Sequence, residues 1–554
     1  MILIAAAIVF APALNFAFVF DDRYQIAQNP SITSWSYLPQ YFRSHIWSYG
    51  GALTNYYRPI FLIVLRIWNS IFDLDPVGWH ALPIIFHLLN IGLVFALIRK
   101  LTSKVTTGLV AASLFAVHPV QIEAVGSIYG ITDAIMAAFL LTSFLFYLSW
   151  KDRDTSLLLG LSSLFFALAL LTKESAIVFP FALAAYELAI RTQAEQPHSR
   201  RIYLPPIVIA VAIGIAYFVA RRFALGAFLG QPASPVSWTT VFFTAPLSLV
   251  ALLRLWIAPF GMSAFYNCAY VTRPDLLHFF APLLLLIAIA AGVWFWSRLT
   301  HEPLIAFAAT WSLLALLPVL NIRLLPEGDF IHIRFLYVPS IALALLEAIA
   351  LRQLLPKPRY RLAIAAALVG ALAISTRAQI GFERDNEAMY LRGIAVAPDN
   401  RVPRNNLADD YVKAGRLDEA AALLDDNLRR HPDFWMSNYN RGYIAYTHQN
   451  WPEVAEYMNR AISNGGTETD AYVYRALALL HMGRTPEAEQ SVRQAIALRP
   501  HARSYHFVLG LVLRQEQRWN EALEAFQQEL AIDPDNRNAA IHVADLRARL
   551  GKKT

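Results

Sequence analysis

Long apolar runs recur from residue 1 to about residue 375, and they limit what this chain can fold into more than any other feature. A helix of about 20 predominantly apolar residues is long enough to cross the hydrocarbon core of a bilayer. The first run, Met1–Phe20, carries no charge. The other candidate spans lie near 81–98, 105–119, 131–150, 155–172, 174–190, 203–220, 239–258, 277–297, 303–320, 335–351 and 361–376. The sequence therefore predicts an all-α polytopic membrane domain over residues 1–380, with about 11 spanning helices.

Basic residues set the expected orientation of these helices. They cluster in four turns, near residues 99–104, 151–153, 191–201 and 352–361. The positive-inside rule places such turns in the cytoplasm, so Asp21 and Asp22 and the C-terminal part of the chain are expected on the extracytoplasmic side. This orientation requires that one candidate span does not cross. The weakest candidate is 239–258, because it contains Pro246 and Arg254, and we expect it to re-enter the membrane or to lie at the outer surface.

The charge of the chain is unevenly distributed. The net charge of +7 arises in the first 380 residues, whereas the remainder is slightly acidic. This positive charge fits cytoplasmic loops and lipid phosphates rather than a nucleic-acid surface, and we expect no nucleic-acid partner. Cys268 is the single cysteine, which excludes an internal disulfide and a cysteine metal cluster. No basic segment precedes the first apolar run, which favours a retained helix over a cleaved signal peptide.

A 34-residue period marks the C-terminal part of the chain. Small residues recur at Ala408, Gly442, Ala476 and Gly510, and each period also contains a turn and a glutamate. This is the tetratricopeptide pattern, in which each repeat is a pair of antiparallel helices that packs against its neighbours. We expect a second, extracytoplasmic domain over residues 381–554, an α-solenoid whose groove binds a protein acceptor or partner. Its repeats are expected at about 400–433, 434–467, 468–501 and 502–536.

Charged residues gather at the predicted outer ends of the membrane helices. Asp21 and Asp22 follow the first run directly, and the others are Arg58, His118, Glu123, Asp133, Lys173, Glu174, His332 and Arg334. Taken singly, each fits a helix cap or a solvated loop charge, and the two aspartates fit a signal that ends the membrane run. Taken together, they put carboxylates and cations on one membrane face. Cations there can hold a lipid phosphate, and a carboxylate can accept a proton from an attacking hydroxyl.

The order of these motifs resembles the transmembrane and tetratricopeptide-repeat-containing (TMTC) family, which are GT-C-fold glycosyltransferases related to protein O-mannosyltransferases. The resemblance rests on Phe20-Asp21-Asp22 with Gln28-Asn29-Pro30, Tyr57-Arg58-Pro59, His118-Pro119 with Glu123, Lys173-Glu174-Ser175 and Arg334-Phe335-Leu336-Tyr337-Val338-Pro339-Ser340, followed by the repeats. It implies transfer of mannose or another hexose from a polyprenyl-phosphate donor to Ser or Thr hydroxyls of protein. It also suggests a bacterial inner-membrane protein with its active site and repeats in the periplasm.

The resemblance further implies roles for individual residues. Asp21 matches the acidic motif of GT-C enzymes and is expected to act as the base, with Asp22 assisting. The candidates for holding the donor phosphate are Arg58, Lys173 and Arg334. The pocket is expected to include His118, Glu123, Asp133, Glu174 and His332. A glutamate commonly precedes the arginine of the last motif in this family, whereas Ile333 stands here, and His332 is a candidate to compensate. No metal is expected to be required, although a divalent cation on the two aspartates stays open.

Other functions also stay open. The chain could be a transferase that acts on a lipid or a polysaccharide, with the repeats recruiting partners. It could instead be a non-catalytic membrane scaffold whose repeats assemble an envelope complex. A transporter fits less well, because most acidic residues lie at helix ends rather than near the middle of the membrane. Replacing Asp21 by Asn distinguishes the scaffold, which should tolerate the change, from either transferase.

Overall fold

The computed structural model describes residues 1–50, 55–191, 204–226 and 236–551. All regular structure in these ranges is helical. The chain divides into two compact units, Met1–Asn400 and Arg401–Thr554. The basic turn expected near 191–201 falls almost entirely outside the described residues.

The first unit is a bundle of apolar helices, some joined by short turns and others by longer loops. In the described part of this unit the α-helices are α1 (Ile2–Phe10), α2 (Leu38–Tyr41), α3 (Pro59–Phe72), α4 (Pro76–Thr102), α5 (Val105–Val117), α6 (Ile122–Gly126), α7 (Ile131–Arg153), α8 (Ser156–Thr172), α9 (Phe179–Arg191), α10 (Leu204–Leu225), α11 (Trp238–Ile257), α12 (Ala281–Thr300), α13 (Pro303–Leu316), α14 (Tyr337–Leu354), α15 (Pro358–Gln379) and α16 (Asn386–Val396). Among them α7 and α14 are the most buried spans, whereas α12 and α15 expose most of their apolar surface. Such exposed apolar helices are what a lipid-facing perimeter requires.

Eight helices in the described ranges are long and apolar enough to cross a membrane, or nine if α5 and the bent segment Pro119–Gly126 form one span. The protein is therefore an integral membrane protein with several spans, and the expected count of about 11 is not supported. The first apolar run is helical only over Ile2–Asn15, because Pro12 lacks the N–H that would extend α1 and lies in a 3₁₀ turn. The run near 174–190 likewise begins with a 3₁₀ turn and leaves a helix of 13 residues, α9.

Helix α11 is continuous over 20 residues and is one of the helices long and apolar enough to cross a membrane. At its start, the Arg323 guanidinium lies 4.7 Å from the Trp238 ring centre. At its end, the Trp256 ring stacks on His118 with ring centres 3.8 Å apart. Arg323 and His118 lie in loops that adjoin the cavity described below. The Trp256 Nε1 also donates to Glu347 on α14 at 2.8 Å, and the expectation that 239–258 does not cross the membrane stays a prediction.

The second unit is a TPR-like region of helix pairs. Its helices in the described residues are α17 (Arg401–Lys413), α18 (Leu417–Arg430), α19 (Trp435–Thr447), α20 (Trp451–Ser463), α21 (Asp470–His481), α22 (Thr485–Leu498), α23 (Tyr505–Gln515), α24 (Trp519–Ile532) and α25 (Arg537–Arg549). The two helices of a pair approach closely where the sequence has its small residues. A Cβ atom added at Gly510 would lie 2.6 Å from the Phe526 ring, so this crossing requires glycine.

The division at Asn400 lies after the boundary expected at residues 380/381. Helix α16 belongs to the first unit, because the segment before it is bonded into the membrane bundle. The backbone N–H of Ala17 donates to the Arg384 carbonyl at 2.9 Å, and Tyr129 donates through its hydroxyl to Glu383 at 3.2 Å. The sequence pattern shows the helical period of α16 but not these contacts.

Candidate active site

A cavity of about 140 Å³ opens at one end of the membrane bundle. Five of the expected site residues line it, namely Asp21, Arg58, Lys173, Glu174 and Arg334. They come from four separate loops that follow or precede membrane helices. The volume is below the ~300–1,000 Å³ of typical ligand sites, so it suits the reacting end of a ligand rather than a whole lipid-linked sugar.

Asp21 is presented by a tight turn after the first apolar helix. The Asp22 N–H donates to the Val19 carbonyl at 2.8 Å, and the Asp22 carboxylate accepts from the Val19 N–H at 3.1 Å. Phe20 has a φ of +47°, which for a residue other than glycine costs about 1–2 kcal/mol. The turn leaves the Asp21 side chain facing the cavity and buries Asp22 completely.

The two aspartates therefore have different surroundings. Burial raises the pKa of Asp21 to about 6, against the opposing effects of Arg334 and His332. Burial raises the pKa of Asp22 further, to about 8, although the Val19 N–H favours its charged form. At neutral pH Asp21 is mostly ionised and Asp22 mostly protonated. Asp22 does not line the cavity, so its position fits a role in building the turn rather than the expected assistance to Asp21.

Arg58 reaches the cavity from the residue before α3. Its guanidinium makes two parallel hydrogen bonds to Glu174, at 3.0 and 2.7 Å. Burial acts to raise the pKa of Glu174, but the charge and hydrogen bonds of Arg58 outweigh it and hold that pKa at about 2. The guanidinium also lies 4.3 Å from the centre of the Tyr56 ring. The pair is thus ionised and rigidly oriented at the cavity wall.

Lys173 pairs with Asp133 at 2.6 Å, and both side chains are nearly buried. Burial lowers the pKa of Lys173 and the positive charge of Arg58 adds to this, while Asp133 opposes both. Asp133 lines a small adjoining cavity rather than the main one. Asp133 therefore binds Lys173 from the side of the adjoining cavity, and the ammonium group of Lys173 lies at the main cavity.

Arg334 is held by Glu123, which is fully buried. The Glu123 carboxylate accepts from the guanidinium of Arg334 and, at 3.1 Å, from its backbone N–H. His332 lies beside them, with Nδ1 3.3 Å from Glu123 and Nε2 3.4 Å from Asp329. Ile333 has no carboxylate, and Glu123 provides one next to Arg334 instead. His332 contacts this carboxylate and does not line the cavity.

Among the expected pocket residues, His118 lies away from the cavity and contacts the end of α11. Its ring stacks on Trp256, and its Nε2 lies 3.1 Å from the Trp256 carbonyl. The cavity instead includes residues that the sequence reasoning missed, among them Gln25, Tyr129, Thr132 and Asn321. Tyr129 is in no motif that would have identified it, whereas Tyr56 stands in the Tyr-Tyr-Arg-Pro run.

The charges of this site are balanced in pairs. Each of the three cations that line the cavity has one carboxylate partner, whereas Asp21 has no ion-pair partner among the residues the structure describes. A carboxylate without a cation is free to accept a proton, and oriented cations can stabilise negative charge that develops on an oxygen. The described residues contain no group of three or more His, Cys, Asp or Glu side chains that could hold a metal ion.

Two family models match parts of the chain. Dolichyl-phosphate-mannose-protein mannosyltransferase matches residues 58–220, a range that includes Arg58, Glu123, Asp133, Lys173 and Glu174. The model "T7SS, ESX-1 secretion system protein EccA1, N-terminal domain" matches residues 363–554, which contain the helix pairs of the second unit.

Curated relatives match over most of the chain. The human protein O-mannosyl-transferase TMTC3 is 23% identical over 98% of this chain and 61% of its own length. The Drosophila melanogaster protein O-mannosyl-transferase Tmtc3 is 22% identical over 100% of this chain and 66% of its own length. The chain thus spans less than two thirds of the length of these relatives. Among solved structures, YrrB, a TPR protein with an unusual peptide-binding site, is 19% identical over 30% of this chain and 84% of that one, with a TM-score of 0.28.

Proposed function

We propose that this chain, which is a homologue of the TMTC-family protein O-mannosyl-transferases, transfers a hexose from a polyprenyl-phosphate carrier to Ser or Thr hydroxyls of protein. The single observation that carries the proposal is the meeting of an unpaired carboxylate, Asp21, with three oriented cations at one cavity. A scaffold protein has no need of this arrangement. The dolichyl-phosphate-mannose match to residues 58–220 favours mannose as the sugar.

The reaction is a single displacement at the anomeric carbon of the sugar. The acceptor hydroxyl attacks this carbon and gives its proton to Asp21, while the bond from the carbon to the phosphate oxygen breaks. The electron pair of that bond stays with the polyprenyl phosphate, and Arg58, Lys173 and Arg334 stabilise the charge that develops there. One base and no protein nucleophile are needed, so the sugar configuration inverts.

The cations retain their carboxylate partners in this mechanism. Glu174, Asp133 and Glu123 hold them in position, and each cation has hydrogens left for a phosphate oxygen. The donor carries one negative charge and the released phosphate carries two. The reaction therefore increases negative charge beside groups that are already oriented, which is how a preorganised site lowers a barrier.

The proposal extends to topology and partners. We place the cavity and the second unit on the extracytoplasmic side, the periplasm of a bacterial inner membrane, with α11 lying along that membrane face. The groove of the helix pairs in the second unit binds the acceptor protein or a partner. No metal is required, because the remaining N–H groups of the side-chain cations stabilise the leaving phosphate.

The test is sugar transfer in membrane vesicles that contain the wild-type chain or the Asp21→Asn variant. Polyprenyl-phosphate mannose and the corresponding glucose carrier are supplied separately, and the label incorporated into protein, lipid and polysaccharide is measured. Transfer to protein that is lost in the variant supports the proposal and identifies the sugar. Label in lipid or polysaccharide would indicate the other transferase function, and equal results for both chains with every donor would indicate a scaffold.

A further inference from the structure

The turn that presents Asp21 contains a backbone conformation that its sequence does not favour. Phe20 has a φ of +47°, a value that glycine, asparagine and aspartate adopt far more readily than phenylalanine. Its neighbours Val19 and Asp22 bond each other across the turn. These two bonds close the turn but do not involve the N–H of Phe20 itself.

That N–H is satisfied from a distant part of the chain. It donates to the side-chain Oδ1 of Asn386 at 2.9 Å, across a sequence separation of 366 residues. Asn386 is the first residue of α16 and is 9% exposed. Two residues earlier, the Arg384 carbonyl accepts from the Ala17 N–H at 2.9 Å. The segment 384–386 therefore fixes the chain on the N-terminal side of Asp21 at two points.

Glu383, the residue before this segment, contacts the cavity wall. Tyr129, which lines the cavity, donates through its hydroxyl to Glu383 at 3.2 Å. The Phe20 ring meets the Tyr129 ring edge to face, with centres 5.8 Å apart. The strained residue, the cavity wall and the segment beyond α15 thus form one connected set of contacts.

From these contacts we infer that Asn386 is a positioning residue for the transfer reaction, which holds the Phe20 turn so that Asp21 meets the acceptor hydroxyl. The inference rests on the proposed function for the role of Asp21. Asn386 lies outside every motif in the sequence that suggested a catalytic role. It is not among the residues that line the cavity, so it acts through the turn and not on the substrate.

This role predicts a specific kinetic change. Without the Asn386 acceptor, Phe20 can relax to a negative φ, and Asp21 moves relative to the cations while the cations themselves stay in place. Donor binding depends on the cations, whereas proton transfer depends on the aspartate. The Asn386→Ala variant should therefore lower kcat by about 10- to 100-fold and leave the KM for the donor nearly unchanged.

Two further variants separate positioning from general stability. Asn386→Asp keeps an acceptor oxygen for the Phe20 N–H and should restore most of kcat. Asp385→Ala removes the cap of α16, in which Asp385 accepts from the Ala388 N–H at 2.7 Å, and leaves the bond to Phe20. It should lower the melting temperature and change kcat little. Equal loss of kcat in Asp385→Ala and Asn386→Ala would show that only the stability of α16 matters, and would overturn the inference.

A measurement that does not depend on activity completes the test. Hydrogen exchange of the Phe20 amide in the full-length protein should be slow in the wild type and in Asn386→Asp, and fast in Asn386→Ala. Unchanged exchange in Asn386→Ala would refute the positioning role even if transfer fell. If Asp21→Asn keeps full transfer, the proposed function fails, while the exchange result still decides whether Asn386 holds the turn.

Discussion

The raised pKa of Asp21 makes transfer dependent on pH in a defined direction. As a base, Asp21 must be ionised, and its pKa is about 6 because it is buried. The ionised fraction is then about nine tenths at pH 7 and about one tenth at pH 5. The value of kcat/KM at low acceptor concentration should therefore fall roughly tenfold between pH 7 and pH 5, and should level off above pH 7.

A bound donor sharpens this prediction. Its phosphate places a negative charge near Asp21, which disfavours the ionised carboxylate and raises its pKa further. The pH profile of kcat, which reports the complex, should thus lie at higher pH than that of kcat/KM, which reports the free enzyme. The assay is initial-rate transfer of labelled mannose to a Ser/Thr peptide in detergent, from pH 4.5 to 8.5, with protein integrity checked at each pH by melting.

Asp22→Asn is the matched control for this experiment. The amide keeps an oxygen that can accept from the Val19 N–H, and Asp22 is already mostly neutral at pH 7 because its pKa is about 8. This variant should retain transfer and the same midpoint near pH 6. A flat wild-type profile between pH 5 and pH 7 would refute Asp21 as the base. If Asp22→Asn loses transfer while Asp21→Asn remains active, the base is Asp22 and not Asp21.

Three other changes test separate parts of the molecule. Arg58→Lys replaces the two hydrogen bonds to Glu174 with a single one, so the cation is less well oriented toward the donor phosphate. The KM for the donor should rise about tenfold, measured by donor titration. Gly510→Val forces a side chain into a helix crossing and should destabilise the second unit by about 1–3 kcal/mol, measured by chemical unfolding of the full chain. Reporter fusions at Gly226 and Gly261 should report the same extracytoplasmic compartment if α11, which lies between them, follows one membrane face as proposed.

Each of these tests has a result that would contradict it. Arg66, which lies on α3 and does not line the cavity, provides the control Arg66→Lys, and an equal rise in KM there would remove Arg58 from donor binding. Ala544→Val adds a side chain at an exposed position of α25, so equal destabilisation would mean that the crossing at Gly510 is not tight. Fusions that report opposite compartments would show that α11 crosses the membrane.

The sequence predicted both kinds of helical structure well, the membrane helices and the helix pairs, because each follows a repeated pattern. Apolar runs identified the membrane unit, and the 34-residue period identified the helix pairs. The number of spans was wrong, since hydropathy counts residues without registering where a proline ends a helix, as Pro12 does after α1. The end of the first unit was also not visible in the pattern, because it depends on hydrogen bonds from residues 383–386 to the start of the chain.

The candidate site was predictable in part. Charged residues in motifs at helix ends, such as Arg58, Lys173 and Arg334, do meet at one cavity. What the motifs could not show is which neighbour each one pairs with. Asp21 and Asp22 are adjacent in sequence, yet one faces the cavity and the other is buried, and only the geometry of the turn decides between them.

The bond between Phe20 and Asn386 also has a consequence for how the protein is made. A ribosome adds about 5–20 residues per second, so the first helix waits roughly 20–70 s before Asn386 is synthesised. During that interval α1 is already made, and the cations of the cavity are synthesised one loop at a time. The turn before Asp21 still lacks its hydrogen bond to Asn386. A translation product that stops within α15 would carry every charged group of the cavity and still hold its base loosely. Completion of the membrane unit would then be the step at which the protein becomes competent.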